Sequence, residues 1–423
     1  MKILVKKIVL SFLTALARIR LKRLRLFIIG VTGSIGKTST KDAIYHILKT
    51  RYQISRSEKS YNTDFGLPLA VLEQKSGFSS PLKWFFTVLG SIWSAFVGGR
   101  HVQMMVIEMG VDKPGDMDQL LKLAKPQIGV MTNIRPVHMA EGQFKDLDDI
   151  FNEKKKMVEA LPEKGFAVLN ADDPYLISLK EKLPAKILFY GMSESADLRM
   201  YDLSYSLEGI DFKLDYKEES VHVKLALLGA AQAYVVLPAI ATALAQGFTL
   251  QEAAEALHDF KLPAGRMNPI EGLKQSLIID ASYNASPESM KEALDVLSVS
   301  PGRKIAVLGS MNELGTISER KHRELGNYAA GKADVIVTVG NDAKWLNDSA
   351  KETGFKAENM AHYDNSISAA DFVKTIIREG DTVLVKGSQN GVRLEKLVKK
   401  IMKEPWRAVS LLVRQEDDWK KIS

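Results

Sequence analysis

From about residue 25 onward, short apolar runs alternate with helical patterns. Arg25–Gly30, Gln103–Ile107, Gln127–Thr132, Phe166–Leu169 and Ile187–Tyr190 are apolar at successive positions. That is the pattern of strands buried on both faces of a parallel sheet. Between them, Ser39–Lys49 and Asp146–Leu161 space their apolar residues as helices do, which gives a repeated βαβ unit. Residues 198–228 change to alternation, as in Ile210-Asp211-Phe212-Lys213-Leu214, and predict a small antiparallel ribbon. A helical stretch at about 230–246 follows, and Leu262-Pro263-Ala264-Gly265 has the composition of a linker. The α/β alternation then restarts with Leu277–Ile279, Lys304–Leu308, Val335–Val339 and Thr382–Val385. The pattern predicts an α/β protein with a central, mostly parallel sheet domain over 27–262 and a Rossmann-like α/β domain over 263–423. A hinge is expected near residue 263.

Two further helical patterns stand apart from that alternation. Lys7, Ser11, Thr14, Arg18, Lys22 and Arg25 recur at spacings of three and four, with Val5, Ile8, Phe12, Leu16 and Ile19 on another side. Residues 1–26 are therefore expected to form a basic amphipathic arm. An apolar helical insertion is expected at about 78–100, where Leu82, Phe85, Phe86, Leu89, Trp93, Phe96 and Val97 follow helical spacing.

Charge sharpens the picture of the arm. The net charge is +7, but residues 1–26 alone hold eight basic residues and no acid. Removing those eight from the 58 basic residues leaves 50 against 51 acidic ones, so the rest is near neutral. A general nucleic-acid surface is disfavoured, whereas local contact with an anionic membrane fits. No apolar run reaches the roughly 18–20 residues of a spanning helix. Ile8–Ala17 follows basic residues and ends Ala15-Leu16-Ala17, as a signal peptide does, but the chain then runs directly into the glycine-containing segment Gly30–Thr40. With no cysteine, disulfides and thiolate metal sites are excluded. The expected location is cytoplasmic, at the inner face of the cell membrane.

The candidate chemistry begins at Gly30–Thr40, GVTGSIGKTST, between a strand and a helix. Glycines allow close approach of the backbone to a phosphate, and the N–H groups of Gly33, Ser34, Ile35, Gly36, Lys37, Thr38 and Ser39 can point at it. Lys37 supplies a cation for the outer phosphates, and the Thr38 hydroxyl can reach Mg²⁺. Five residues before Gly36 stands Val31, where the usual P-loop has glycine.

This shortened loop resembles that of Mur ligases and folylpolyglutamate synthetases. The resemblance continues in order through Tyr61-Asn62-Thr63-Asp64-Phe65-Gly66-Leu67-Pro68, Glu108-Met109-Gly110, Asn133-Ile134…His138 and Asn170-Ala171-Asp172-Asp173. In the last domain Gly265-Arg266-Met267, Ser282-Tyr283-Asn284-Ala285-Ser286-Pro287, Leu308–Gly315 and Lys386-Gly387-Ser388 are most similar to the D-alanyl-D-alanine-adding branch of the Mur ligase family. The resemblance implies an ATP-dependent ligase that phosphorylates a carboxylate and joins it to the amine of an amino acid or dipeptide, in peptidoglycan precursor synthesis. It implies ATP and two Mg²⁺ ions, with Thr38, Glu108, His138 and Lys154 as metal ligands. Lys154 falls on the lysine that the family carbamylates with CO₂, although Lys156 stands where the family usually has a glutamate. Lys37, His138, Lys154, Arg266 and Lys386 would be catalytic. Arg266 would reach ATP phosphate, and Tyr283 and Asn284 would line the nucleotide cleft.

Three departures bear on the substrate. The loop comes almost at once, so no separate UDP-sugar-binding domain is expected. The central helix begins Gly229-Ala230-Ala231-Gln232, and the last domain has Ala281-Ser282-Tyr283-Asn284 with Asp280 one position early. Another ligase of the superfamily, or a degenerate nucleotide-binding partner protein at a membrane, are the alternative readings. The arm and insertion contact a membrane peripherally through 1–26 and 82–97, or else pack on each other or on a partner chain.

Overall fold

The computed structural model describes residues 2–57, 65–77, 80–139, 142–389, 391–416 and 419, with side chains from Lys6 onward. Tyr61–Asp64 of the family motif and the start of the helical insertion lie outside the described residues.

The first sheet has nine strands in the order β2-β3-β1-β4-β5-β6-β7-β8-β9. They are β1 (Phe27–Thr32), β2 (Ile54–Arg56), β3 (Met104–Glu108), β4 (Ile128–Met131), β5 (Phe166–Asn170), β6 (Lys186–Gly191), β7 (Leu198–Tyr205), β8 (Ile210–Tyr216) and β9 (Glu219–Leu225). The pairs from β2 through to β7 are parallel. β3 and β4 are buried at every position, as strands covered by helices on both faces must be. In β8, Ile210, Phe212 and Leu214 are buried while the residues between them are not, the alternation of a sheet covered on one side.

The helices of this part are α1 (Lys2–Leu24), α2 (Lys37–Leu48), α3 (Gly66–Val71), α4 (Pro81–Phe96), α5 (Asp116–Leu123), α6 (Leu147–Glu159), α7 (Pro174–Ile177), α8 (Ala233–Ala245) and α9 (Leu250–Glu255). Their starts are written in the sequence. Ser80 caps α4 by accepting from the Lys83 N–H, with Pro81 in the first turn, and Asp146 caps α6 by accepting from the Asp149 N–H.

The second sheet runs β10-β11-β15-β12-β13-β14. Its strands are β10 (Asn268–Glu271), β11 (Leu277–Ala281), β12 (Lys304–Gly309), β13 (Val335–Val339), β14 (Met360–Tyr363) and β15 (Thr382–Lys386). Only the β10–β11 pair is antiparallel. α10 (Pro287–Ser298) and α11 (Ser318–Ala330) belong to the core on one face of the sheet, and a second core fills the other. The chain divides into two compact units, the first made of Met1–Asp202, Phe212–Val223 and Ala233–Phe260. Leu203–Asp211, Lys224–Gln232 and Lys261–Ser423 make the second.

The N-terminal helix is part of the first unit's body. It packs on α3 and α4 and buries Leu13, Leu16 and Ala17. Arg20, one of the eight basic residues counted in the arm, is buried. It meets Glu73 at 2.7 Å and donates to Ser94 Oγ. Arg23 donates to the carbonyls of Ser94, Ala95 and Gly98. Those groups lie at the C-terminal end of α4, where carbonyls lack helical partners and a cation is favourable.

Candidate active site

β1 lies between β3 and β4, so the loop after it leaves the sheet at the carboxyl ends of three neighbouring parallel strands. α/β sheets hold their ligands at such ends. Two glycines make the turn. Gly33 has φ of +138°, and a Cβ there would stand 2.0 Å from Thr132 Oγ1. Gly36, with φ of +87°, sits at the N-terminal end of α2. The loop is braced from the segment after β4. The Ser34 and Ile35 N–H groups donate to the Asn133 carbonyl and to Asn133 Oδ1, at 2.9 and 3.0 Å. Thr132 Oγ1 donates to the Ile35 carbonyl at 2.7 Å.

The side chains that follow converge on one end of this loop. Lys37 Nζ bends back to the Ser34 carbonyl at 3.1 Å. Thr38 Oγ1 donates to Glu108 Oε2 at 2.7 Å, and β1–β3 register places Glu108 beside Val31. Ser39 is buried in the first turn of α2. Lys154, on α6, is fully buried, and its amine makes no hydrogen bond among the described residues. Burial holds its pKa well below the usual lysine value, and the Lys37 charge pushes the same way. Asp112, Glu108 and Glu153 oppose the shift. The carboxylate of Glu153 is already engaged: it accepts from the Met117 N–H at 2.7 Å and from Lys156 at 2.8 Å. Lys156, at the position where a glutamate was expected, bridges Glu153 and Asp118.

His138 adopts φ of +55°, an uncommon conformation for a residue with a side chain. Its Nε2 lies 3.5 Å from Asp112 Oδ1. Among the described residues no three His, Cys, Asp or Glu side chains are grouped to hold a metal. The groups here with donors that could hold Mg²⁺ are mixed ones: the Thr38 hydroxyl, the Glu108 carboxylate and the His138 imidazole.

The Asn170-Ala171-Asp172-Asp173 motif braces the neighbourhood. Asn170 donates to the Thr132 carbonyl at 3.1 Å, and Asp173 Oδ2 accepts from the Ile134 N–H at 2.8 Å. Asp172 accepts from the Met192 and Ser193 N–H groups and from the Tyr234 hydroxyl. Burial and that bond push the Tyr234 hydroxyl pKa upward.

In the second unit, Lys386 ends β15, and its buried Nζ donates to the Asn284 carbonyl at 3.0 Å. Burial pushes its pKa down to about 8, with the Arg266 charge adding to the effect. The Arg266 guanidinium stands 4.2 Å from the centre of the Tyr283 ring, and that of Arg414 stands 5.3 Å from it. Arg414 also pairs with the fully buried Glu395, which holds Arg393 as well. The Asn284 side chain is exposed, and its backbone carbonyl is the group that meets Lys386.

Asp280 is fully buried, and its Oδ1 accepts from the Ser282 N–H at 3.0 Å. Burial raises its carboxyl pKa to about 6. A carboxyl raised on folding stabilises the protein while protonated. That contribution is full below the unfolded value near 3.9 and is lost as pH rises through about 6. Asp280→Asn is therefore expected to raise stability at pH 7 by about 1–3 kcal/mol and to remove this decline. Urea unfolding midpoints of both proteins from acid to neutral pH check it.

Residues 31–243 match the Mur ligase middle domain, and residues 265–389 match the Mur ligase glutamate ligase domain. The UDP-N-acetylmuramoyl-tripeptide–D-alanyl-D-alanine ligase of Bacillus subtilis is 30% identical over 399 residues, which cover 94% of this chain and 80% of that protein. The chain belongs to the Mur ligase family.

Solved structures agree with this. A crystal structure of MurF from Acinetobacter baumannii superposes with a TM-score of 0.77 at 26% identity, covering 92% of this chain and 79% of that one. MurF ligase from Thermotoga maritima, in complex with ADP, gives 0.75 at 26% identity, covering 94% and 84%.

Within this Mur ligase the structure brings Lys37, Thr38, Glu108 and Lys154 together, and it brings Arg266, Tyr283, Asn284 and Lys386 together. Sequence reasoning missed Asp112, which stands four residues after Glu108 and faces His138. It also missed Tyr234 and Arg414. Arg414 lies more than a hundred residues from Tyr283 and had no local signal at all.

Proposed function

We propose that this Mur ligase joins a peptide-like carboxylate to the amine of an amino acid or dipeptide at the expense of ATP, in peptidoglycan precursor synthesis. The donor and acceptor are of the kind named for its Bacillus subtilis relative: a UDP-linked muramoyl tripeptide and D-alanyl-D-alanine. The observation that supports this most is the buried Lys154 amine, without a hydrogen bond among the described residues, beside the Lys37, Thr38 and Glu108 cluster.

A carboxylate oxygen attacks the γ-phosphorus, the bond to ADP breaks, and an acyl phosphate forms. The amine then attacks the carbonyl carbon. The C–N bond forms, phosphate leaves with the former carboxylate oxygen, and the amine gives up a proton. Negative charge collects on phosphoryl and carbonyl oxygens, so fixed cations and N–H dipoles are the useful catalysts. Lys37 and the loop N–H groups from Gly33 to Ser39 hold the triphosphate. Thr38, Glu108, His138 and a carbamylated Lys154 would hold two Mg²⁺ ions, which supply charge neutralisation of the transferring phosphoryl group. Arg266 and Lys386 are assigned to phosphate charge, and Tyr283 and Asn284 to the nucleotide.

Phosphate release tests the reading. It is expected only with ATP, a muramoyl-peptide-like carboxylate and D-alanyl-D-alanine or a related amine together. Turnover that needs neither substrate, or none with any pair, would move the chain to the nucleotide-binding partner reading. The assignment of Lys386 gives a pH signature. Its ammonium form predominates below about pH 8 and is lost above it, so kcat/KM is expected to fall on the alkaline side with a midpoint near 8. Lys386→Arg keeps the charge, and its alkaline limb is expected to move to higher pH. An unshifted limb would assign it to another group.

The place of action is the remaining part of the proposal. The enzyme works in peripheral contact with the inner face of the cell membrane, through residues 1–26 and 82–97. No helix among the described residues is long and apolar enough to cross a membrane.

A further inference from the structure

Helix α4 is inside out for a helix facing water. The positions turned toward the protein are Thr87, Ser91, Ser94 and Ala95, all buried. The positions turned away are Leu82, Phe85, Phe86, Leu89, Trp93 and Phe96, each between 48% and 66% exposed. The inward hydroxyls are specifically bonded. Thr87 donates to the Lys75 carbonyl at 2.9 Å, Ser91 to the Thr87 carbonyl at 2.7 Å, and Ser94 to the Leu72 carbonyl at 2.8 Å. Ser94 also receives Arg20, and Arg23 caps the far end. The Ser91 bond lies within the helix, but turning the aromatic face inward would break the Thr87 bond to Lys75 and the Ser94 bonds to Leu72 and Arg20, so the orientation is built in. A contiguous apolar face of this kind marks an interaction surface.

Its surroundings say what it meets. α1 packs along α4, exposing Ile8, Phe12 and Ile19 together with Lys6, Lys7, Arg18 and Lys22. Residues 2–26 and 81–101 contain ten lysines and arginines and no acidic residue; Arg20 among them is buried against Glu73 and Arg23 is turned to the carbonyls at the end of α4. The complementary surface is apolar at its centre and negatively charged across a broad area. An anionic bilayer has both properties, with Trp and Phe suited to the boundary between headgroups and acyl chains and with basic side chains reaching the headgroups.

We propose that the outward face of α4, flanked by the exposed lysines and arginines of α1, seats this protein on anionic lipid. This rests on the membrane-contact reading above and deepens it by fixing which face of α4 meets the lipid.

The test is flotation of the intact protein with vesicles of phosphatidylcholine alone and of phosphatidylcholine mixed with phosphatidylglycerol. Binding is expected on the mixed vesicles, weakened by salt, and little on phosphatidylcholine alone. Phe85→Ser with Phe86→Ser is expected to lower binding by about tenfold or more, since two large side chains leave the apolar region. Both side chains are more than half exposed, so the fold should hold and phosphate release with soluble substrates should be unchanged. Lys7→Glu with Lys22→Glu is expected to reduce binding on the mixed vesicles. Equal, salt-insensitive binding to both vesicle types would overturn the anionic-lipid assignment. Undiminished binding of the phenylalanine variant would overturn the α4 surface while leaving membrane contact standing. Protein that floats with neither vesicle would overturn both, and loss of self-association in the phenylalanine variant would then give the face to a second copy of the chain.

Discussion

Lys37→Ala is expected to lose ATP-dependent ligation by about a hundredfold or more, the scale on which groups that meet transition-state charge act. Lys37 leaves the first turn of α2 and folds back over the loop to the Ser34 carbonyl. With a triphosphate in the loop, the same reach would place the charge on the outer phosphates. Alanine leaves the loop's glycine turns and its Asn133 brace intact, so the fold survives and the loss is electrostatic. Steady-state phosphate release, with circular dichroism to verify the fold, measures it. Product formation at the wild-type rate would remove the loop from the chemistry.

Lys154→Ala is expected to lose activity to a similar extent, and short carboxylic acids such as acetate to restore part of it. The expectation comes from an electrostatic mismatch. A buried cation without a hydrogen bond is costly, and here it would also face the charge of Lys37. The depressed pKa relieves this by favouring the neutral amine, which is the form that attacks CO₂. In the proposed carbamate, the new N–C bond and the loss of a proton would turn a would-be cation into an anion. A repulsive pair with Lys37 would become an attractive one, and two oxygens would become available for metal. Lys154→Arg is expected to fail as well, because a guanidinium remains a cation and offers no oxygen. Full activity in Lys154→Ala would reduce Lys154 to a packing residue.

Lys154 also shows where sequence reading stops. In Asn152-Glu153-Lys154-Lys155-Lys156 it looks like one more charge on a solvated helix face. Its burial comes from the way α6 packs on β1 and β4, a tertiary fact that helical periodicity does not contain. The resemblance marked the residue; composition would have left it outside. Glu108 and the loop were legible because each sits where a strand pattern ends, and parallel strands deliver their carboxyl ends to one place. The short strands β2, β10 and β14 went unread, since three or four residues carry little periodicity. Arg20 and Arg23 were only counted among the eight basic residues of the arm. Their partners, Glu73 and the end of α4, are some fifty or more residues away and invisible to local pattern. For α4 the spacing of Leu82, Phe85, Phe86 and Leu89 gave the stripe correctly but not its direction. A stripe at helical period is ordinarily the buried one, and here Thr87, Ser91 and Ser94 take that side.

The central claim is that a carboxylate is activated by phosphorylation before the amine attacks it. Transfer of isotope tests this directly. With a donor whose carboxylate carries ¹⁸O, each turnover with ATP and the acceptor amine should release phosphate containing one ¹⁸O atom, as read by mass spectrometry. Unlabelled phosphate released at the rate of ATP consumption would mean that water, not the substrate carboxylate, takes the phosphoryl group, and would contradict the claim.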